Sequence, residues 1–235
     1  MGQHRMRAAE QLILDLPVRP ALGRGDFFVT EANAMAVAQI DAWRHWSGNK
    51  FMLVGPKGSG KTHLAHVWQR ESEGDVVGAE TLAHADIPAL AARPVCVENV
   101  DRIAGDGAGE DALFHLHNLA LSEGHALLMT AQVPPARLGL ALPDLRSRLM
   151  GTQFAQLELP DDVLLSAVLA KLFDDRQLTP DARVINYLVP RMRRSFDTAQ
   201  RLVAAIDGAA LARRRPITLA IARDCLDRMT PEGET

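Results

Sequence analysis

The chain has only two cysteines and one tyrosine among 235 residues. Cys96 and Cys225 are too few for a disulfide scaffold or a cysteine-based metal site. Cys96 sits in the run Val95-Cys96-Val97 and reads as a small buried side chain. No apolar stretch approaches the roughly 18 residues of a membrane span. The start, MGQHRMRAAEQ, has no apolar core of signal-peptide type. A reduced, cytoplasmic protein with no membrane partner is expected. Excess positive charge is missing too: the net charge is -3, so the total gives no reason to expect non-specific attraction to nucleic acid. From Asp161 onward the chain is nonetheless arginine-rich, with clusters at Arg191, Arg193, Arg194 and at Arg213, Arg214, Arg215. The plain reading of such a run is a solvated helix face.

What is present alternates. Residues 1–25 are polar and basic at first and then punctuated by Pro17, Pro20, Gly23 and Gly25, which reads as an extended tail. Apolar spacing (Ala36, Val37, Ile40, Trp43) predicts a helix over Asn33 to Trp46, and His63 to Arg70 predicts another. Between and after them lie short apolar runs: Phe51 to Val54, Val95 to Val97, Ala126 to Met129, and Ala155 to Leu159 ending at Pro160. Short buried strands alternating with helices predict an α/β fold, a parallel sheet sandwiched by helices. After Pro160 the strand signals stop. Asp161 looks like a helix cap, and Leu164, Val168, Leu172 with Leu165, Leu169, Phe173 form a helical stripe. The expected organisation is a tail (1–25), a nucleotide-binding domain (26–160) and a small all-helical domain (161–235).

The strongest motif is Gly55-Pro56-Lys57-Gly58-Ser59-Gly60-Lys61-Thr62, a G-x-x-x-x-G-K-[ST] loop between a strand and a helix. Its glycines let successive N–H groups turn toward one anion, and the helix behind it presents its positive end. Lys61 can reach the outer phosphates and the Thr62 hydroxyl can ligate Mg²⁺. A nucleoside di- or triphosphate is the expected ligand. The acidic pair usual at a later strand end is altered here, to Glu98-Asn99. Glu98 falls where a magnesium-organising Asp is expected, and Asn99 where many ATPases carry the Glu that orients water. An amide is no base, so weak turnover by this chain alone is expected. Asp101 is a substitute by type, although its spacing does not suit that strand end.

The blocks GPKGSGKTHL, VCVENVDRI, LLMTAQVPP, LPDLRSRL (expected as a turn) and RMRRSFDTAQRL follow in the order found in the AAA+ domain of the DnaA/Hda family. The chain resembles that family over nearly its whole length. The resemblance implies an AAA+ P-loop NTPase with a helical lid, binding ADP or ATP with Mg²⁺. It places the first sensor at Thr130 or Gln132, the second sensor at Arg193, and an arginine finger, acting on a neighbour's nucleotide, at Arg148, with Arg146 the near alternative. It sets Phe27 to Asn33, Val29 included, beside the adenine. The chain ends where the lid ends, which implies no DnaA-type helix-turn-helix and no direct sequence-specific DNA binding; assembly with further copies of itself is compatible with the family.

One segment remains. In Gln11-Leu12-Ile13-Leu14-Asp15-Leu16-Pro17 the leucines alternate as in an edge strand. A Gln followed by spaced leucines also resembles the peptide by which replication proteins dock in the bacterial sliding clamp, with Gln11, Leu12, Leu14 and Leu16 as contacts. The function implied is negative regulation of replication initiation: recruitment by the DNA polymerase sliding clamp and stimulated hydrolysis of ATP on DnaA. A helicase-loader-like ATPase and a non-catalytic nucleotide-binding clamp adaptor are the alternatives.

Overall fold

The computed structural model describes residues 19–20, 28–31, 33–213 and 215–229. The QLILDLP segment lies outside them. A short antiparallel pair, β1 (Arg19–Pro20) with β2 (Phe28–Val29), precedes helix α1 (Ala34–Asp41). The main sheet contains β3 (Lys50–Val54), β4 (Asp75–Gly78), β5 (Val95–Glu98), β6 (Leu127–Ala131) and β7 (Phe154–Gln156). Its order is β4-β5-β6-β3-β7 and every pairing is parallel. The connections are α2 (Lys61–Ser72), α3 (Ile87–Ala91), α4 (Gly107–Ser122) and α5 (Pro143–Met150).

Side chains alternate across a strand, and the sheet's two faces bury different residues. Met52, Val54, Val95, Val97, Leu127 and Met129 meet α4 and α5 through Leu113, Leu116, Leu145 and Leu149. Phe51, Leu53, Cys96 and Leu128 meet α1 and α2 through Val37, Ile40, Leu64 and Trp68. On this second face Trp46 stacks between Phe51 and Trp68, with centroids 5.1 and 5.8 Å away. Parallel sheets need both faces covered because their crossover helices lie there.

A third buried cluster is built from α6 (Asp162–Asp174), α7 (Ala182–Leu188), α8 (Phe196–Arg213) and α9 (Leu219–Met229). Asp161 caps α6, its carboxylate accepting the Leu164 N–H at 2.7 Å. Of the stripe on α6, Leu165, Leu169 and Phe173 enter this cluster fully, whereas Leu164, Val168 and Leu172 face a cavity.

Three expectations need correction. The expected helix over Asn33 to Trp46 stops at Asp41 and gives way to a 3-10 turn, Trp43–His45. The last strand is Phe154–Gln156, ending earlier than the apolar run Ala155 to Leu159. LPDLRSRL is no turn but the helix α5: Pro143 occupies its first turn, where the absent N–H costs nothing, and Leu145 and Leu149, four apart, pin it to the core. Strand β4, half-buried at the sheet edge, had no expectation attached to it.

Candidate nucleotide-binding site

The sheet register brings the ends of β3, β5 and β6 to one edge, with Leu53 opposite Thr130 and Val97 opposite Met129. The Gly-rich loop leaves β3 at that edge. Gly58 and Gly60 take φ values of +88° and +97°, the left-handed region that disfavours side chains. A Cβ on Gly58 would lie 2.7 Å from Ser195 Oγ, and one on Gly60 2.8 Å from the Phe196 ring. Glycine thus lets the loop tuck against the start of α8. Lys61 Nζ donates to the carbonyls of Gly55 (2.7 Å) and Pro56 (3.0 Å). Burial pulls its pKa below the ordinary lysine value, against the opposing pull of Asp101 and then Glu98. Thr62 follows, exposed on the cleft.

Facing the loop, Glu98 closes β5. Its Oε1 is buried with no hydrogen-bond partner among the described residues, and Ser59 Oγ is likewise buried and unmatched. A buried polar atom without a partner is costly. An orphaned hydroxyl in the loop fits a phosphate oxygen, and an orphaned carboxylate oxygen fits a divalent cation; the Thr62 hydroxyl, at the second position of α2, is the other oxygen of the right kind for Mg²⁺.

Asn99 sits at φ +58°, and its N–H donates to Thr130 Oγ1 at 3.0 Å. Thr130 is 0% exposed, so of the two first-sensor candidates it is Gln132 that lines the cleft. Asp101 is turned back by the 3-10 turn Val100–Ile103 and accepts from Gln132 twice, from the backbone N–H at 3.0 Å and from Nε2 at 3.2 Å. The turn supplies what the linear spacing lacked: Asp101 bonds Gln132 of the cleft and acts electrostatically on Lys61.

A cleft of about 480 Å³ runs from Lys61 and Thr62 past Asn99 and Gln132 to Phe196 and Gln200 on α8. It shares His63, Phe196 and Gln200 with a second cavity of about 190 Å³ between Phe28 and the α6 residues Leu164, Val168 and Leu172. The His63 and Phe196 rings stack there with centroids 6.3 Å apart. A cleft carrying Lys57, Lys61 and Thr62 that continues into a cavity with aromatic and aliphatic walls suits a phosphate chain followed by a base. Phe28 reaches this cavity whereas Val29, the residue expected there, packs against the second-face core. Asn33 braces this segment: its Nδ2 donates to Phe28 O (2.9 Å) and its Oδ1 accepts from Thr30 N (2.8 Å).

The three arginines separate. Arg193 is exposed just ahead of α8 and is not among the residues lining the cleft. Arg194 ties α8 to α6, reaching Pro160 O at 3.3 Å and Asp162 Oδ1 at 2.6 Å. Arg148 stands in the last turn of α5, exposed, with its carbonyl 2.6 Å from Lys50 Nζ. Lys50 begins β3 and the Gly-rich loop follows its end; at about 3.3 Å per residue the strand puts roughly 13 Å between them. Arg148 is at the edge of the sheet opposite the loop.

No family model matches the chain. Solved structures do match its fold. Domain III of the Thermotoga maritima replication initiation protein DnaA superposes with a TM-score of 0.74 at 17% identity, over 86% of this chain and 94% of that one. AMPPCP-bound DnaA from Aquifex aeolicus gives a TM-score of 0.65 at 19% identity, over 77% of this chain and 63% of the longer DnaA chain. A variant of Thermotoga maritima RuvB gives 0.64 at 19% identity, over 85% and 70%. The fold is that of the AAA+ P-loop ATPases.

Proposed function

We propose that this chain of AAA+ fold is an adenine-nucleotide-binding regulator of replication initiation that acts, in the manner of Hda, on ATP held by DnaA. The single observation that carries the reading is the position of Arg148. Its side chain is exposed at the sheet edge away from its own Gly-rich loop, and no ion pair engages it among the described residues. A guanidinium there serves a phosphoryl group on another chain, where it stabilises transition-state charge; such fingers are worth about 10³–10⁵ in rate.

The chain's own site supports binding more than turnover. Lys61 and the loop N–H groups hold the phosphates, Thr62 and Glu98 hold Mg²⁺, and Phe28, His63 and Phe196 enclose the base. Asn99 offers no carboxylate where a water-orienting base is needed. Bound ADP or ATP sets its phosphate charge between the sheet and α8, where Lys61 and the loop N–H groups offset it, so that nucleotide holds the helical part against the sheet. Arg193, two residues before Ser195, is near enough to the loop to join it when nucleotide is present. Recruitment falls to Gln11, Leu12, Leu14 and Leu16: an amide for the mouth of a clamp pocket and apolar anchors for its interior.

The test mixes the protein with DnaA-ATP and clamp-loaded DNA and follows phosphate release. Stimulation by the wild-type chain and its loss in Arg148→Ala support the reading. An unchanged rate, or equal stimulation by the variant, overturns it.

A further inference from the structure

We infer that Lys50 and Glu110 are positioning residues that hold α5 from its two ends and thereby aim Arg148. This rests on the reading of Arg148 as a finger that acts on a neighbour's nucleotide.

Helix α5 is two turns long, too short to be stable by itself. Leu145 and Leu149 bury one side of it, but two leucines leave sliding and rotation of the helix weakly opposed. Its ends are gripped by charge. At the entry, Glu110 of α4 is 1% exposed. Its Oε1 accepts from Ala141 N at 2.9 Å and Gly105 N at 2.7 Å, and its Oε2 from Leu142 N at 2.6 Å. Leu142 is the residue that caps α5. At the exit, Lys50 Nζ donates to Arg148 O at 2.6 Å and meets His117 Nε2 at 3.3 Å.

The two grips share one ruler. His117 is also on α4, seven residues after Glu110, so both lie on one face of that helix. It is 2% exposed, and its Nδ1 faces Asn118 Oδ1 at 3.2 Å, which leaves Nε2 as the acceptor for the lysine. Negative charge at the start of α5 and positive charge at its end both suit the direction of its dipole. Lys50 bonds the carbonyl of the very residue whose side chain is to reach the neighbour. Arginine has a long side chain, but where its reach begins is set by that backbone. A displacement of about 1 Å at a reacting geometry can cost on the order of 100-fold in rate.

The decisive variant is Lys50→Met, which keeps the stem and removes the donor, compared with Lys50→Arg and Arg148→Ala. For each full-length protein three quantities are read: ADP affinity, the concentration giving half-maximal stimulation of DnaA-ATP hydrolysis, and the maximal stimulated rate. Lys50→Met is expected to lower the maximal rate roughly 10-fold or more, with ADP affinity and half-maximal concentration unchanged. Lys50→Arg restores most of the rate, and Lys50→Met added to Arg148→Ala costs nothing further. A full rate in Lys50→Met beside a lost rate in Arg148→Ala overturns the positioning role and leaves the finger standing. A full rate in Arg148→Ala overturns the finger itself. Loss of ADP binding in Lys50→Met, or no rescue by Lys50→Arg, makes Lys50 merely structural and also overturns the inference.

Discussion

Asp101 holds Gln132 by both its backbone N–H and its side-chain amide, at 3.0 and 3.2 Å. The pair joins the turn after β5 to the end of β6, where Gln132 lines the same cleft as Lys61. Hydrogen bonds to an ionised acceptor are worth more than neutral ones, about 1.5–3 against 0.5–1.5 kcal/mol. Asp101→Asn keeps the shape and loses the charge. It is expected to cost about 1 kcal/mol in a denaturant titration.

Gly60 packs directly against the first residue of α8. At φ +97° and with Phe196 2.8 Å from where a Cβ would stand, Gly60→Ala carries both backbone strain and a clash. A loss of about 1–3 kcal/mol and a marked fall in ADP affinity are expected, read by thermal melting and by nucleotide titration. Gly48 is the control: its φ is also positive, +61°, but nothing lies within 4 Å of its Cβ position, so Gly48→Ala should leave ADP binding intact.

Acid should weaken the α4–α5 junction in two stages. Burial, then the nearby Lys50 and Arg148 charges, hold His117 below the usual 6.5 despite its bond to Asn118. Its neutral form is favoured in the fold. Stability from this site is whole above pH 6.5 and falls as the pH drops toward the lower folded value, because the unfolded chain takes up the proton first. For Glu110, burial pushes the carboxyl up, but the N–H donors of Ala141, Leu142 and Gly105 outweigh it and hold it below 4.5. Its contribution is full above 4.5 and is lost as pH falls through the folded value. Glu110→Gln should cost about 2–4 kcal/mol at neutral pH and progressively less in acid. Denaturant titrations of wild type and variant across pH 3 to 8, a range of roughly five units around these values, check both stages.

The phosphate loop, the strand before it and the helix after it were legible because each rests on local chemistry: glycines where φ is positive, a lysine and a threonine at fixed spacing. So was the cap at Asp161. What escaped depended on distant contacts. Glu110 reads in sequence as one more acid on an exposed helix; three N–H groups, two of them about thirty residues away, make it a buried anchor. Lys50 reads as the polar start of a strand. Phe28 and Val29 are adjacent apolar residues, and the sequence alone does not say which of the two faces the cavity. Asp101 does not suit the strand end on linear spacing, but the 3-10 turn bends it back into the site. Strand β4 offers two valines, Val76 and Val77, both half-buried, too little for a pattern.

The tail carries its own test. Gln11→Ala with Leu12→Ala is expected to abolish binding to the sliding clamp in a pull-down while ADP affinity stays as in the wild type. Loss of both would make the segment part of the fold.

The most direct measurement of the central claim separates the two nucleotides. DnaA is loaded with γ-labelled ATP, this protein with unlabelled ADP, and label release is followed in the presence of clamp-loaded DNA, so that only the partner's site is read. The expected result is release stimulated by the wild-type chain and reduced by about 100-fold or more in Arg148→Ala, with the ADP affinity of that variant unchanged. Equal release with wild type and Arg148→Ala would contradict the assignment of Arg148 to a neighbour's phosphate.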